Sequence, residues 1–329
     1  MALISTKKTA LFINAGQPTL PTAPAGFVET SEATLISPEF QSIDIDRISG
    51  KLNGKDTVID LCRTKVSFSA PHTMRTSDKA GTALDTVPEY GTLLIAAGFD
   101  EVIDVSTPGE ETVIYTNNND KVNQSSASVY MDGNRYDMTG SIVSGTEMNF
   151  TVGEVATISN NIEGYLDDAV PTNEANPTIT LSDEQVLVVS CADLVTDAGV
   201  VIPVKSAKIA TNSEISEVYT MGGASGLKST FVSDYALQLD LEFFVDDATF
   251  AREATAIKAG TVSELIIKIG LDDTSTEVNG KSVVITMPMS KVTTYTDSDD
   301  TDLLSRAVTY RCFDDGATPA MSIKQGFYA

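Results

Sequence analysis

The sequence has one histidine, three cysteines and no tryptophan among its 329 residues. The single histidine, His72, follows Pro71 in a segment that we interpret as a loop. No Gly-x-Ser-x-Gly motif accompanies it, so a serine-hydrolase site is not predicted. Cys62, Cys191 and Cys312 have no Cys-x-x-Cys spacing, and each lies in or beside a strand-like run, where a buried free thiol is expected.

Long apolar runs and basic charge are also scarce. No apolar run approaches the ~20 residues that a membrane helix requires, and the N-terminus lacks the charge order of a secretory signal. We therefore expect a soluble protein made in a cytoplasm. The 22 basic and 46 acidic residues give a net charge of −24, which argues against a surface that grips nucleic acid. Such acidity is typical of solubility and self-repulsion, and it also suits a surface past which a polyanion moves without sticking.

Two segments look superficially like ligand sites. Residues 297–302 (DSDDTD) resemble a calcium loop, but the sixth position is not glycine and the twelfth is Val308 rather than glutamate, so a solvated acidic turn is expected. Residues 221–226 are glycine-rich but lack the Lys-Ser/Thr of a phosphate loop. The sequence predicts no catalytic residue, cofactor site or metal site, and we expect that the protein is not an enzyme.

Alternation of apolar and polar residues predicts a mainly β fold. The clearest hairpin lies within residues 125–166, where Asp132-Gly133 supplies a turn that needs positive φ. A short helix is predicted after Pro88, with Gly98 just past its end.

The second half repeats this order of elements. A strand ending near Phe243 precedes a helix with Asp247 as the expected N-cap and Gly260 as its end. Phe250, Ala254 and Ile257 are expected on one face of this helix. A second turn of the same kind is predicted at Asn279-Gly280. The repeat predicts two tandem domains, residues 1–172 (an arm and the first domain) and residues 173–329 (a linker and the second domain).

Several motifs in this order carry a family resemblance. They are Thr6–Phe12 in the arm, Tyr90–Phe99 (YGTLLIAAGF) at the first helix, Ser128–Asn134 in the hairpin, Glu163–Tyr165 in the closing strand, and the segment from Lys208 through Phe250–Ala254 to Arg306–Tyr310. The set resembles the two-domain major tail tube proteins of long-tailed (siphovirus-type) bacteriophages. The prolines that interrupt the arm depart from the family's pattern.

The resemblance implies two tail-tube-type β-sandwich or barrel domains, each with one short flanking α-helix. It implies a structural virion protein that forms rings, which stack into the hollow phage tail and conduct genome DNA into the host. Trimeric, pseudo-hexameric rings are the first expectation, and six chains per ring the second. The implied partners are the tape-measure protein in the lumen and the tail terminator and tail tip proteins, with DNA passing through unbound and no membrane.

Two further expectations concern the assembled tube. The candidate inter-ring loop is glycine-rich and lies between early strands; it consists of Gly50, Lys51, Leu52, Asn53, Gly54, Lys55 and Asp56. Part of the negative charge is expected to line the channel, where it would repel phosphates.

Two alternatives stay open. One is a virion decoration or capsid-associated β-sandwich, which micrographs of shells rather than tubes would favour. The other is a carbohydrate-binding β-protein, which the absence of tryptophan and the 7% aromatic content disfavour, because sugar platforms need exposed aromatic faces.

Overall fold

A computed structural model provides the structure of the chain. It describes residues 9–17, 19–23, 25–34, 36–39, 42–46, 55–59, 65–75, 88–104, 112–118, 124–166, 171–179, 181, 185–191, 193–219, 227–246, 250–278, 280–300 and 302–326.

Strands dominate these residues, as the sequence predicted, and two short helices accompany them. In the first part of the chain the elements are β1 (Thr9–Asn14), β2 (Phe27–Val28), β3 (Ser37–Glu39), β4 (Ser42–Asp46), β5 (Lys55–Ile59), β6 (Lys65–Thr73), α1 (Tyr90–Ala96), β7 (Phe99–Asp104), β8 (Thr112–Asn117), β9 (Ser125–Met131), β10 (Asn134–Thr151), β11 (Thr157–Leu166) and β12 (Thr172–Asn173). The later elements are β13 (Leu194–Asp197), β14 (Val200–Ile202), β15 (Val204–Tyr219), β16 (Leu227–Phe244), α2 (Arg252–Ala259), β17 (Ser263–Ile269), β18 (Val283–Asp300), β19 (Leu303–Cys312) and β20 (Ser322–Gly326).

The ladders of the first half have a definite order. β1 pairs with β2 and with β9, and β9 pairs with β10. β10 pairs with β11 and, at its start, with β12. β11 pairs with β6, and β6 pairs with β3. All of these ladders are antiparallel, so neighbouring strands run in opposite directions across the sheet.

The second half repeats this order. β13 pairs with β14 and with β17, and β17 pairs with β18. β18 pairs with β19 and, at its start, with β20. β19 pairs with β16, and β16 pairs with β15. Each ladder of the first half named above therefore has a counterpart, whereas the β7–β8 hairpin is inserted between α1 and β9.

Two ladders join the halves. The end of β10 pairs with β15, and β8 pairs with β20, so both halves belong to one sheet. β4 and β5 form a separate two-stranded sheet. Because ladders cross it twice, the division at residues 172 and 173 stays a prediction rather than a visible boundary.

The predicted turns and helix ends fare differently. Asp132 and Gly133 have φ of 45° and 90°, as a type I′ turn requires, and Gly98 and Gly260 follow their helices with positive φ. At the predicted Asn279-Gly280 turn, Gly280 has φ of 69° and the Lys281 N–H donates to the Val278 carbonyl oxygen at 3.1 Å, so a tight turn is present. It does not join the two strands directly as predicted, because it lies within residues 270–282, which connect β17 to β18. Asn279 lies outside the described residues.

Helix α2 differs from its prediction in start and in buried side. It begins at Arg252, while the expected N-cap, Asp247, lies outside the described residues. Phe250 and Ile257 are 56% and 38% exposed, whereas Glu253 is 1% exposed. Phe250 thus precedes the helix instead of belonging to its apolar face, and Ile257 is turned outward, because an arginine from β19 reaches this helix and its charge requires a carboxylate there.

Candidate assembly interface

The β10–β15 ladder shows how one half of this chain adds to the edge of the other. Seven consecutive residue pairs run from Gly145↔Asn212 to Thr151↔Ser206. The Thr146 backbone N–H donates to Thr211 Oγ1 at 3.0 Å. Since β11 occupies the other side of β10 over the same residues, β15 lies on the side opposite β11.

A charged pair crosses this junction on the face of the sheet that carries Glu147 and Lys208, which we call the polar face. Lys208 Nζ lies 2.8 Å from Glu147 Oε2. The hydrogen bond from Lys208 is the main reason that the pKa of the Glu147 carboxyl is lowered. The pair is partly exposed, so its contribution to stability is small, about 0–1 kcal/mol, and the ladder and the buried face carry the junction.

The closing strands of the two halves align residue by residue. β11 and β19 each contain ten residues, and both are buried at their fourth, sixth, eighth and tenth positions, so Leu166 corresponds to Cys312 and Asn160 to Arg306. Through the ladders Glu147↔Ser159 and Ser298↔Ser305, Glu147 of β10 corresponds to Ser298 of β18.

Asn160 and Arg306 each donate a hydrogen bond from the sheet to a carbonyl oxygen in or just before the helix of the same half. Asn160 Nδ2 donates to the carbonyl oxygen of Leu93 in α1 at 2.7 Å. Arg306 Nη1 donates to the carbonyl oxygen of Phe250, just before α2, at 2.8 Å. Each is a buried polar side chain that fastens the helix of its half to the sheet, which supports the alignment independently of strand length.

β18 is the strand of the second half that corresponds to β10, and no described strand pairs with it where β15 pairs with β10. Residues 291–299 pair with β19 on one side, and no other ladder of the described residues reaches them. We call the other side of this segment the β18 edge. It corresponds to the side of β10 on which β15 lies.

Side chains near the β18 edge are exposed where their counterparts are buried. Tyr295 and Leu304 are 37% and 38% exposed, but the corresponding Val143 and Ile158 are 6% and 0% exposed. In the first half, Val143 lies beside Val232 and Tyr235 of the second half around one small cavity. Beside Tyr295, the described ladders give β18 no partner other than β19.

A second open edge lies at β3. Ser37 and Glu39 pair with Ser67 and Lys65 of β6, and the described ladders give β3 no other neighbour. The ladders place Glu39 in correspondence with Ala210 of β15. We call the following consecutive strands the central row: β3, β6, β11, β10, β15, β16, β19 and β18. The row ends in two open edges, at β3 and at β18. These edges correspond to β15 and β10, the two strands that meet at the junction inside the row.

Arg306 forms a charged cluster beside the β18 edge. Its guanidinium lies 2.6 Å from Asp297 Oδ1 and 2.6 Å from Glu253 Oε2. It also lies over the rings of Tyr295 and Phe250, at 4.7 and 5.4 Å from their centroids. The hydrogen bond from Arg306 lowers the pKa of the Asp297 carboxyl, and the same contact is the main cause that raises the pKa of Arg306. The cluster joins β18, β19 and α2.

The polar face of the central row carries matched charges. Besides the Lys208–Glu147 pair, Lys205 lies 2.7 Å from Asp300 and 3.3 Å from Glu242. Lys65 lies 2.9 Å from Glu163. Much of the charge described on this face is therefore paired with the opposite sign, in contrast to the chain as a whole.

The candidate inter-ring loop is only partly described. Gly50, Lys51, Leu52, Asn53 and Gly54 lie outside the described residues. Lys55 and Asp56 begin β5 and pair with Asp46 and Ile45 of β4. The structure therefore brings the second end of this segment into a two-stranded sheet apart from the large one, and its role stays a prediction.

The structure places the histidine differently from the sequence prediction. His72 lies within β6, opposite Ile158, so the loop prediction was wrong. Burial lowers the pKa of His72, and its Nδ1 lies 2.6 Å from the carbonyl oxygen of Glu29, so the neutral ring must carry its proton on Nδ1. Pro71 misled the prediction, because β6 tolerates a proline within the strand.

The cysteines and the acidic turn complete the comparison. Cys312 is buried as expected, whereas Cys191 is exposed and contradicts the expectation; Cys62 lies outside the described residues. The acidic turn falls at the β18–β19 hairpin, where Asp297 binds Arg306. The glycine-rich segment 221–226 also lies outside the described residues.

Neither a metal centre nor a membrane-spanning helix is present in the described part of the chain. No group of three or more His, Cys, Asp or Glu side chains there is placed to hold a metal ion. Neither described helix has the length and apolar character needed to cross a membrane.

The sequence was compared with protein-family models and with curated proteins. No protein-family model matches the sequence, and no curated protein matches it. The central row and its two open edges are therefore the features from which a function must be argued.

Proposed function

We propose that the protein is a structural subunit that joins copies of itself edge to edge into rings, and that the rings stack into the tail tube of a long-tailed bacteriophage. One observation carries the proposal. The central row consists of two copies of a four-strand unit, and the β10–β15 ladder joins the two copies. The strand edges that correspond to β10 and β15, on β18 and β3, have no partner strand among the described residues. Exposed strand edges pair readily with other chains, and a head-to-tail contact of this kind closes into a ring when its rotation permits.

The repeat favours three chains per ring. Each chain contributes two four-strand units, so three chains supply six units around one axis, and six chains per ring is the second choice. The tape-measure protein inside the tube, the terminator and tip proteins at its ends, and location in the virion follow from the resemblance described above.

The polar face of the central row is the proposed channel wall. Asn160 and Arg306 fasten the two described helices to the opposite face, so neither of these helices covers this face. Its paired charges do not favour the expectation of a strongly acidic channel. A wall of hydroxyl groups, amides and lysines already bound to carboxylates would offer few free cations to DNA phosphates, so DNA could pass without a specific site.

Electron microscopy of the purified protein tests the proposal. The expected result is a hollow tube of stacked rings, with three chains per ring by native mass spectrometry of short assemblies. Spherical shells bound by the protein would favour a decoration protein instead. A stable monomer at all concentrations, with binding to polysaccharide, would overturn the assembly proposal in favour of a carbohydrate-binding protein.

A further inference from the structure

The internal junction of the chain specifies how a second copy would join. Within the chain, Glu147 of β10 lies opposite Ala210 of β15. Glu147 corresponds to Ser298 and Ala210 corresponds to Glu39, through the ladders described above. If the junction between two copies repeats the junction within one copy, Ser298 of one copy lies directly opposite Glu39 of the next.

The face beside the edge identifies what the second copy must cover. Leu304 is 38% exposed while its counterpart Ile158 is fully buried. Leu304 and Tyr295 lie on the helix side of the β18–β19 hairpin, the same side as Arg306, because their ladder partners alternate with those of the polar face. Both side chains are therefore partly exposed, whereas the corresponding side chains of the first half are buried.

We propose that β3 of a second copy pairs antiparallel with the β18 edge, with Glu39 opposite Ser298, and that this copy buries Leu304 and Tyr295 against the Arg306 cluster. The occupant is a second copy of this chain because β3 is the edge that corresponds to β15, the strand seated at the internal junction. The inference rests on the self-assembly in the proposed function and adds the register and the contact residues.

Apolar cover would strengthen the Arg306 cluster. Arg306 is already stacked between Tyr295 and Phe250 and bonded to Glu253 and Asp297. Central positions of interfaces favour aromatic residues and arginine that become fully desolvated on binding. The cluster thus offers a preformed, rigid seat next to the strand edge.

Engineered disulfides test the register. In a chain with Cys62→Ser and Cys191→Ser, the pair Ser298→Cys and Glu39→Cys should give a series of covalent oligomers after oxidation with diamide. Directly opposite residues of antiparallel strands lie about 4.5–5.5 Å apart between Cα atoms, which suits a disulfide. The matched control joins Glu39→Cys with Asp299→Cys, where a shift of one residue moves the side chain to the other face; at least 10-fold less cross-linking is expected.

Two results would overturn the register. One is equal cross-linking of the two variants. The other is a disulfide within single chains, which would mean that the central row closes on itself and leaves no edge for a partner. Cross-linking in the proposed register without tubes would support the inference and defeat the tail tube proposal, whereas tubes without this cross-link would defeat the inference alone.

A substitution tests the covered face without cysteines. Leu304→Glu should weaken assembly at least 10-fold in sedimentation velocity, because the carboxylate would be buried by the arriving copy. Leu303→Glu is the matched control: Leu303 is 57% exposed on the polar face, and assembly should be retained. Circular dichroism should show both variants folded; equal assembly of both would contradict burial at Leu304.

Discussion

Glu253 of α2 accepts a hydrogen bond of 2.6 Å from Arg306 of β19, and the side chains are 0% and 2% exposed. A buried carboxylate on a short helix is costly unless a cation meets it. Arg252 also contacts Glu253, at 2.7 Å. The pair explains why α2 turns a charged residue, rather than Ile257, toward the sheet.

Removal of one partner of this pair should be strongly destabilising. Arg306→Leu should lower the free energy of unfolding by about 3 kcal/mol, because Glu253 loses one of its cations in a buried place. Urea unfolding measures the change. Arg311→Leu, on the exposed side of the same strand, is the control and should change the value by about 0.5 kcal/mol or less.

The two partners should be coupled. The double variant Arg306→Leu/Glu253→Leu should lose at least ~1 kcal/mol less than the sum of the two single variants, since no uncompensated charge then stays buried. A double-mutant cycle in urea gives this coupling energy. Strict additivity would mean that the pair contributes nothing as a pair.

The only histidine should make stability depend on pH near neutrality. Burial lowers the pKa of His72 below its ordinary value of 6.5, so between these two values the unfolded chain binds more protons than the folded chain. Stability is therefore full above pH 6.5 and falls as the pH drops below it, by up to about 1.4 kcal/mol for each unit of lowering.

His72→Phe isolates this effect. The variant should show a flatter dependence of the free energy of unfolding between pH 7.5 and 5.5, whatever its absolute stability. Chemical denaturation across this range provides the measurement. Parallel curves for the variant and the natural chain would show that His72 does not carry the dependence.

A glycine in α1 should be indispensable for packing. A Cβ at Gly91 would overlap the Tyr115 hydroxyl oxygen, and both residues are buried. Gly91→Ala should therefore destabilise the fold by about 1–3 kcal/mol, although alanine favours an exposed helix interior by about 1 kcal/mol over glycine.

Tyr115→Phe provides the test of cause. It removes the oxygen nearest the new Cβ, so the combination Gly91→Ala/Tyr115→Phe should recover part of the loss. Thermal unfolding compares the four proteins. If the second substitution brings no recovery, the clash at the hydroxyl is not the reason for the loss.

The glycine-rich loop offers a test of ring stacking. Deletion of residues 50–54 should leave the large sheet and ring formation intact, because β4 and β5 form a sheet of their own, while tubes become shorter or fail to form. Electron microscopy measures tube length. Tubes of normal length after the deletion would exclude this loop as an inter-ring contact.

Local chemistry determined several features that the sequence predicted. Asp132-Gly133 and the helix-ending Gly98 and Gly260 adopt positive φ, where a side chain is penalised and glycine is not. The alternation in β6 and in the second part of β16 has period two, so it indicates both a strand and its core face. These signals lie within a few residues, so no distant partner is needed to interpret them.

The tertiary structure alone decided the rest. Glu253 is buried, and Phe250 is exposed, because Arg306, 53 positions away, lies beneath the helix, and no helical period records that partner. The pairing of β10 with β15 likewise depends on two segments finding each other across the chain, since a strand's alternation does not state its neighbour. The sequence by itself thus determined the strands, turns and repeat, whereas the long-range ladders decided which edges the chain closes and which it leaves open.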